Sequence, residues 1–291
     1  MAKKKQGKGK GHLLTVLMVL ILLAGIGLIA YPSFSDWWNS MHQSQAIASY
    51  VDEVSHQDAE RIEQMWEEAR AYNKDLADVG NHFKVTDEEM ERYNQVLDIT
   101  GTGIMGYIDI PKIDVSLPIY HSTNEKVLQI AIGHLEGSSL PIGGPDTHAL
   151  LSGHTGLPSA KLFTNIDRLV EGDRFMINVL GQMLTYEVDQ IDVVLPTGVD
   201  ELDIVPGEDL VTLITCTPYA VNTHRLLVRG HRVENEKAQV TVPQDAVILD
   251  KIVVGVLVGV PILLFILVIT LIFTRKKKKP LRKGLTAEDE V

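Results

Sequence analysis

The chain has 291 residues, 45% of them hydrophobic and 22% charged, with a net charge of −11 and one cysteine. This fits one globular domain with appendages and excludes bulk disorder, while a lone cysteine excludes an internal disulfide framework. The charge is uneven: residues 1–10 hold five lysines, residues 275–283 hold seven Lys/Arg, and residues 11–274 sum to −20, a balance unsuited to nucleic acid, whose phosphates are bound by clustered basic side chains.

Residues 1–12 read as a basic cytoplasmic tail. Residues 13–31 follow as a transmembrane anchor or signal-anchor. The uncharged run Leu13–Ala30 covers roughly 27 Å at helical rise, close to the hydrocarbon thickness. A basic flank before an apolar run also suits a signal peptide, but this run is long for one and no clear small-x-small cleavage site follows. Tyr31, Trp37 and Trp38 lie where aromatic belts form at a membrane interface.

Residues 32–100 are expected to be a helical extension. No glycine or proline occurs between Pro32 and Gly80. Ile47, Tyr50, Val51 and Val54 recur at helical spacing, as do Ile62, Met65, Trp66, Ala69 and Leu76, which predicts one or two amphipathic helices. Thr86-Asp-Glu-Glu89 has the form of a capping box opening a short helix through Met90, Tyr93 and Leu97.

From Gly101 the pattern changes to short apolar stretches punctuated by Gly and Pro, and residues 101–235 are expected to form a β-barrel or sandwich. Ile108, Ile110 and Ile113 lie near Pro111. Phe175, Ile177 and Val179 alternate, as do Leu184, Tyr186 and Val188; Ile191 and Val193 resume out of phase, as after a bulge. Leu210–Cys216 and Leu226–Val233 read as two further strands. Residues 236–251 then link to a second uncharged run, 252–273, read as a transmembrane helix with Pro261 inside it, and to a basic cytoplasmic tail, 274–291. Both basic flanks face the cytoplasm under the positive-inside rule, so the domain between them faces outward.

Cys216 ends the strand DLVTLITC, and Pro218 stops that strand, which puts the thiol at a strand mouth. Arg225 comes nine residues later, after a loop able to return the chain antiparallel beside Cys216. His154 lies in the glycine-flanked loop Leu151-Ser-Gly-His-Thr-Gly156 after a short apolar strand. Thiolate chemistry needs these types: a nucleophile, a proton carrier for the departing and incoming amines, and a permanent cation for an oxyanion. Competing readings remain at this level. A strand cysteine is often inert packing, His224 rivals His154 on spacing, Arg229 and Arg232 are further cations, and Cys216, His224 and His231 would be the ligands of a zinc site, although their spacing matches no common zinc pattern.

TLITC, ending at Cys216, resembles the TLxTC signature of sortases. The stretch CTPYAVNTHRLLVRGHR from Cys216 to Arg232 is similar to class C, or pilus-assembling, sortases, as are residues 151–166, 103–121 and 133–144. The resemblance implies a mainly β fold, the sortase-type eight-stranded β-barrel, with N-terminal helices and two flanking transmembrane helices. It implies catalytic Cys216, His154 and Arg225, with Thr215 beside the substrate, and neither cofactor nor metal. It further implies a cysteine transpeptidase that cleaves an LPxTG-like sorting signal through a thioacyl intermediate. The partners would be pilins or other surface proteins bearing that signal, joined to a pilin lysine amine. Alternatives are a housekeeping sortase acting on peptidoglycan, a cysteine hydrolase, and a membrane-tethered adhesin or scaffold without activity. One departure stands out. Class C enzymes commonly carry an Asp-Pro-aromatic lid anchor, and this chain has no Asp-Pro pair. The equivalent region, residues 76–94, is therefore expected to cover Cys216 weakly or not at all, with Phe83, beside His82, as the one candidate substitute anchor.

Overall fold

Each strand of the barrel turns alternate side chains inward, as a pleated sheet closed on itself requires. In the computed structural model, which describes residues 8–198 and 200–235 together with Phe265 and Ile269, β5 (Arg174–Val179) alternates half-buried and buried positions throughout. The other strands are β1 (Ile104–Ile110), β2 (Val115–His121), β3 (Ile132–His134), β4 (Thr147–Ser152), β6 (Gln182–Val194), β7 (Asp209–Thr217) and β8 (His224–Val233). Their order around the closed barrel is β1-β2-β3-β4-β7-β8-β6-β5, with β5 pairing back onto β1. The β2–β3 and β4–β7 pairs are parallel and the rest antiparallel. The mainly β, eight-stranded expectation therefore holds.

The register shift expected between Val188 and Ile191 is present where β6 meets β8, between Val188 and Gln190. A bulge re-aims the extra residue. Here Asp189 receives both Nε and Nη2 of Arg229 at 3.0 Å, with the His231 ring 3.6 Å away. Proline in β2 is tolerated for a similar local reason: Pro118 faces Tyr107 of β1, while β2 pairs with β3 only at residues 119–121.

Four helices accompany the described part of the barrel: α1 (Lys8–His56), α2 (Ala59–Ala77), α3 (Asp87–Gln95) and the one-turn α4 (Glu125–Leu128). The boundary expected at residues 31 and 32 is not a break in the helix. Pro32 lies inside α1, where its missing N–H removes one backbone bond. Tyr50 of α1 is buried, its hydroxyl donating to the Met105 carbonyl and accepting from the Leu180 amide, but Val51 is exposed, so the packed face is narrower than the spacing predicts. Asp58 caps α2 by accepting from the Arg61 amide at 2.7 Å, and the capping box of α3 forms between Thr86 and Glu89 as expected. α2 buries Met65, Trp66, Ala69, Tyr72 and Leu76, and its Asn73 exchanges two hydrogen bonds with Leu140.

Residues 76–94 are anchored to the barrel at both ends. Leu76 and Tyr93 belong to the same buried cluster as the barrel residues Ile108, Ile132 and Phe175. Tyr93 reaches a wholly buried polar network. Its hydroxyl lies 3.0 Å from Nδ1 of His134 and accepts from the Ser122 amide at 2.9 Å, while His134 Nε2 lies 2.8 Å from the Ser139 carbonyl. These partners fit one neutral tautomer, with Nε2–H donating to Ser139 and Nδ1 accepting from Tyr93. Burial pushes the His134 pKa down to about 4.

Among the described residues no helix is long and apolar enough to cross a membrane. Residues 13–31 form the early part of α1, with many of their side chains outside the described set. The chain separates into two compact units, residues 1–239 and 240–291. The linker 236–251, the tail 274–291 and all of the expected span 252–273 except Phe265 and Ile269 lie outside the described residues.

Candidate active site

Two strand pairings converge at one mouth of the barrel. β7 and β8 are antiparallel neighbours, and Cys216 is the register partner of Arg225. Direct partners share a face with Cα atoms about 4.5–5.5 Å apart. The return loop expected from the spacing thus places Arg225 directly across from Cys216, a half-buried free cysteine. On the other side β4 runs parallel to β7, with Ser152 opposite Ile214. The Gly153 amide donates to the Ile214 carbonyl at 3.0 Å, and continuing the register two residues beyond Ser152 would bring His154 level with Cys216.

The turn that carries His154 depends on its glycines. A Cβ on Gly153 would lie 2.8 Å from the Phe163 ring and 2.9 Å from Ile132. Gly156 has φ +70° and packs under Tyr219, whose ring would sit 2.8 Å from an added Cβ. Tyr219 is itself 66% exposed, in the β7–β8 loop that follows the cis Thr217–Pro218 peptide. The loop after His154 folds back on itself, with the Phe163 amide donating to the His154 carbonyl at 3.1 Å.

The competing assignments separate in space. His224 precedes Arg225 on β8 and points to the other face; its ring bonds with Thr223 at 2.9 Å. Arg229 is committed to Asp189, and Arg232 donates to the Thr185 and Val233 carbonyls. Among the described residues, Arg225 has only long contacts to the Asn222 and His224 carbonyls, 3.4 and 3.2 Å. His231 pairs with Leu210, at the opposite end of the strands from Cys216, so Cys216, His224 and His231 do not converge on a metal.

Thr215 precedes Cys216 on β7. It is 4% exposed, and its hydroxyl donates to the Gly153 carbonyl at 2.7 Å. Neighbouring strand residues face opposite ways, so Thr215 turns away from the face that carries Cys216 and braces the turn before His154. Phe83 is 38% exposed, and the chain beside it is pinned elsewhere. Asn81 donates to the His148 and Leu202 carbonyls at 3.1 and 2.6 Å, and the His82 amide donates to Gly137 at 2.8 Å. His148 pairs with Leu210 of β7, six residues and roughly 20 Å of strand from Cys216.

Sequence reading missed Glu125. Its carboxylate oxygen lies 3.9 Å from Nε2 of His154. Asn124 caps α4 by accepting from the Val127 amide at 3.1 Å, and an Asn-Glu pair is a helix-start signal, but nothing in the spacing ties it to His154.

The sortase-domain family model matches residues 108–233, a segment that contains all three residues of this mouth. The structure is similar to crystallised sortase C1 from Streptococcus agalactiae, with 53% identity, a TM-score of 0.65, and coverage of 66% of this chain and all of that one. The chain belongs to the class C sortases. A sortase C from Clostridium perfringens, solved with the C-terminal cell wall sorting motif, is 40% identical with a TM-score of 0.57, covering 66% of this chain and 99% of that one. Sortase A of Streptococcus agalactiae serotype III is 30% identical over 131 residues, which are 44% of this chain and about half, 52%, of that protein. Sortases are cysteine transpeptidases, and in this class C sortase the lone cysteine stands in register with an arginine and level with a histidine.

Proposed function

We propose that this sortase polymerises pilins, cleaving an LPxTG-like sorting signal and passing the acyl group to a lysine amine. The observation that carries the reading is the pairing of Cys216 with Arg225, with His154 two residues past the end of the neighbouring strand, in a chain of which 66% is similar to a crystallised sortase C1. The relative from Clostridium perfringens solved with a sorting motif supports the substrate class. In this reaction the Cys216 thiolate attacks the threonine carbonyl carbon of the signal. Arg225 donates to the oxyanion, and His154 gives its proton to the departing glycine amine. The thioacyl enzyme then meets a lysine amine; His154 takes the proton, the carbon–sulfur bond breaks and an isopeptide bond forms.

The same reading gives the protein two membrane anchors, residues 13–31 and 252–273, with cytoplasmic tails and an external barrel. Its support is the pair of uncharged runs flush against basic segments. The reading leaves Cys216 uncovered by residues 81–82; its support is that Asn81 donates to the His148 carbonyl in the far half of β4 and the His82 amide to the Gly137 carbonyl.

Incubation of the protein with a pilin bearing the signal tests the reaction. Lysine-linked pilin ladders support the reading; release of the cleaved pilin to water alone, or transfer only to a peptidoglycan-type amine, contradicts it. For topology, protease added to intact protoplasts should remove the barrel and spare epitope tags at both ends, and digestion of the C-terminal tag would contradict two spans.

A further inference from the structure

The Nε2 atom of His154 is shielded from solvent and has no hydrogen-bond partner among the described residues. Among the described residues, the carboxylate of Glu125, at 3.9 Å, is the ion-pair partner of this ring. That spacing is too long for a hydrogen bond and within ion-pair range, as catalytic contacts often are before substrate tightens them. Glu125 opens α4, is 72% exposed, and has room to swing. Its nearer oxygen also accepts from the Gln129 amide one turn later.

The gap is not left to two loose loops. α1 holds both sides of it. Gln43 donates to the Ile130 carbonyl at 2.6 Å, just beyond α4. One and two turns earlier, Asn39 donates to the Ser159 carbonyl at 2.8 Å, and Asp36 accepts from the Lys161 amide at 2.8 Å with its ammonium 3.4 Å away. A single helix thereby ties the segment carrying Glu125 to the loop carrying His154.

We propose that Glu125 is a positioning residue for His154: it draws the imidazole proton to Nε2 and leaves Nδ1 as the nitrogen that exchanges protons with the Cys216 thiol and the substrate amines. A histidine whose second nitrogen is held by a carboxylate is fixed in both tautomer and ring direction. The bond contributes little stability, since a carboxylate this exposed is screened by water, so its effect falls on rate. The inference rests on the assignment of His154 as the proton carrier.

Full-length protein is compared with Glu125→Ala, Glu125→Gln and Gln129→Ala, using a sorting-signal peptide and an amine acceptor. Glu125→Ala should lower kcat about tenfold, short of the roughly 100-fold expected from losing acid–base catalysis outright, with an unchanged melting temperature. KM should stay within about twofold, because the contact serves chemistry and not binding. Glu125→Gln, whose amide oxygen still accepts from Nε2–H, should recover part of the loss. Gln129→Ala removes only the competing donor and should keep the full rate. Ring-15N spectra of His154 at alkaline pH should show the Nε2–H tautomer in the wild type and a mixture in Glu125→Ala. Full kcat in both Glu125 variants, or a wild-type proton on Nδ1, overturns the inference. If Cys216→Ala is inactive while both Glu125 variants run at full rate, the catalytic assignment survives and only Glu125 falls. If the wild type itself forms no thioacyl adduct, the catalytic assignment fails, and the tautomer spectra still decide the Glu125 contact.

Discussion

Two histidines in this barrel show how differently the fold uses the same side chain. His134 is wholly buried among Tyr93, Ser138 and Ser139, and both of its ring nitrogens have partners. His154 sits at the mouth, with Nε2 unbonded and a carboxylate just out of reach. The cations differ in the same way: Arg229 is locked onto Asp189 by two bonds, whereas Arg225 beside the thiol has only weak carbonyl contacts. A satisfied network rigidifies a core, while a partly satisfied cluster at an opening has donors left for a substrate. Polar residue types alone do not separate the two cases; saturation of their hydrogen bonds does.

The sharpest way to break this comparison is to treat the two arginines alike. Arg225→Lys should lower kcat/KM by about 100- to 1,000-fold, the usual cost of losing an oxyanion donor whose planar fork lysine cannot copy. Arg229→Lys should leave the rate within a few-fold and instead lower stability by about 2 kcal/mol, since it breaks a charge-assisted pair. Steady-state rates and urea midpoints on both variants make the test, and equal rate losses would dissolve the distinction.

The second test acts on the saturated side. An unfolded His134 takes up a proton near its ordinary 6.5, but the folded one does so only near 4. Between those values the unfolded chain binds more protons, so stability is intact above pH 6.5 and is lost as pH falls toward 4. The interval corresponds to about 3 kcal/mol. Urea midpoints across this range should fall more steeply for the wild type than for His134→Gln. His148, also pushed down by burial, remains in both proteins and cancels in the comparison. Parallel curves would mean that His134 is not held neutral.

The smallest effect is expected at Phe83. Its segment is bonded to the far half of β4, so Phe83→Ala should change the rate of Cys216 alkylation by less than about twofold. A tenfold rise would correspond to about 1.4 kcal/mol of closure and make Phe83 a functioning lid anchor.

Much of this contrast was legible in the sequence wherever local chemistry decides the outcome. The Thr86 capping box, the out-of-phase restart at Ile191, and the Pro218 stop after Cys216 each act within a few residues, and each has the expected consequence. The nine-residue return to Arg225 was readable for the same reason. Elements too short to show a period were not: β3 has three residues and α4 one turn. The parallel β4–β7 pairing, which brings His154 level with Cys216, joins segments far apart in the chain, and no local pattern encodes it. The bond from Thr215 to the turn before His154 depends on which face of β7 it occupies, and Glu125 became visible only once α1 had drawn two loops together.

The central claim is that this mouth makes Cys216 the acyl carrier. Full-length protein is mixed with an LPxTG-type peptide without an amine acceptor, quenched in acid, and the peptide containing Cys216 is analysed by mass. The account predicts a thioester to the threonine carbonyl on Cys216 in the wild type, discharged when a lysine amine is added, and absent from Cys216→Ala. Peptide cleavage that proceeds with Cys216 unmodified, or that persists in Cys216→Ala, would contradict it.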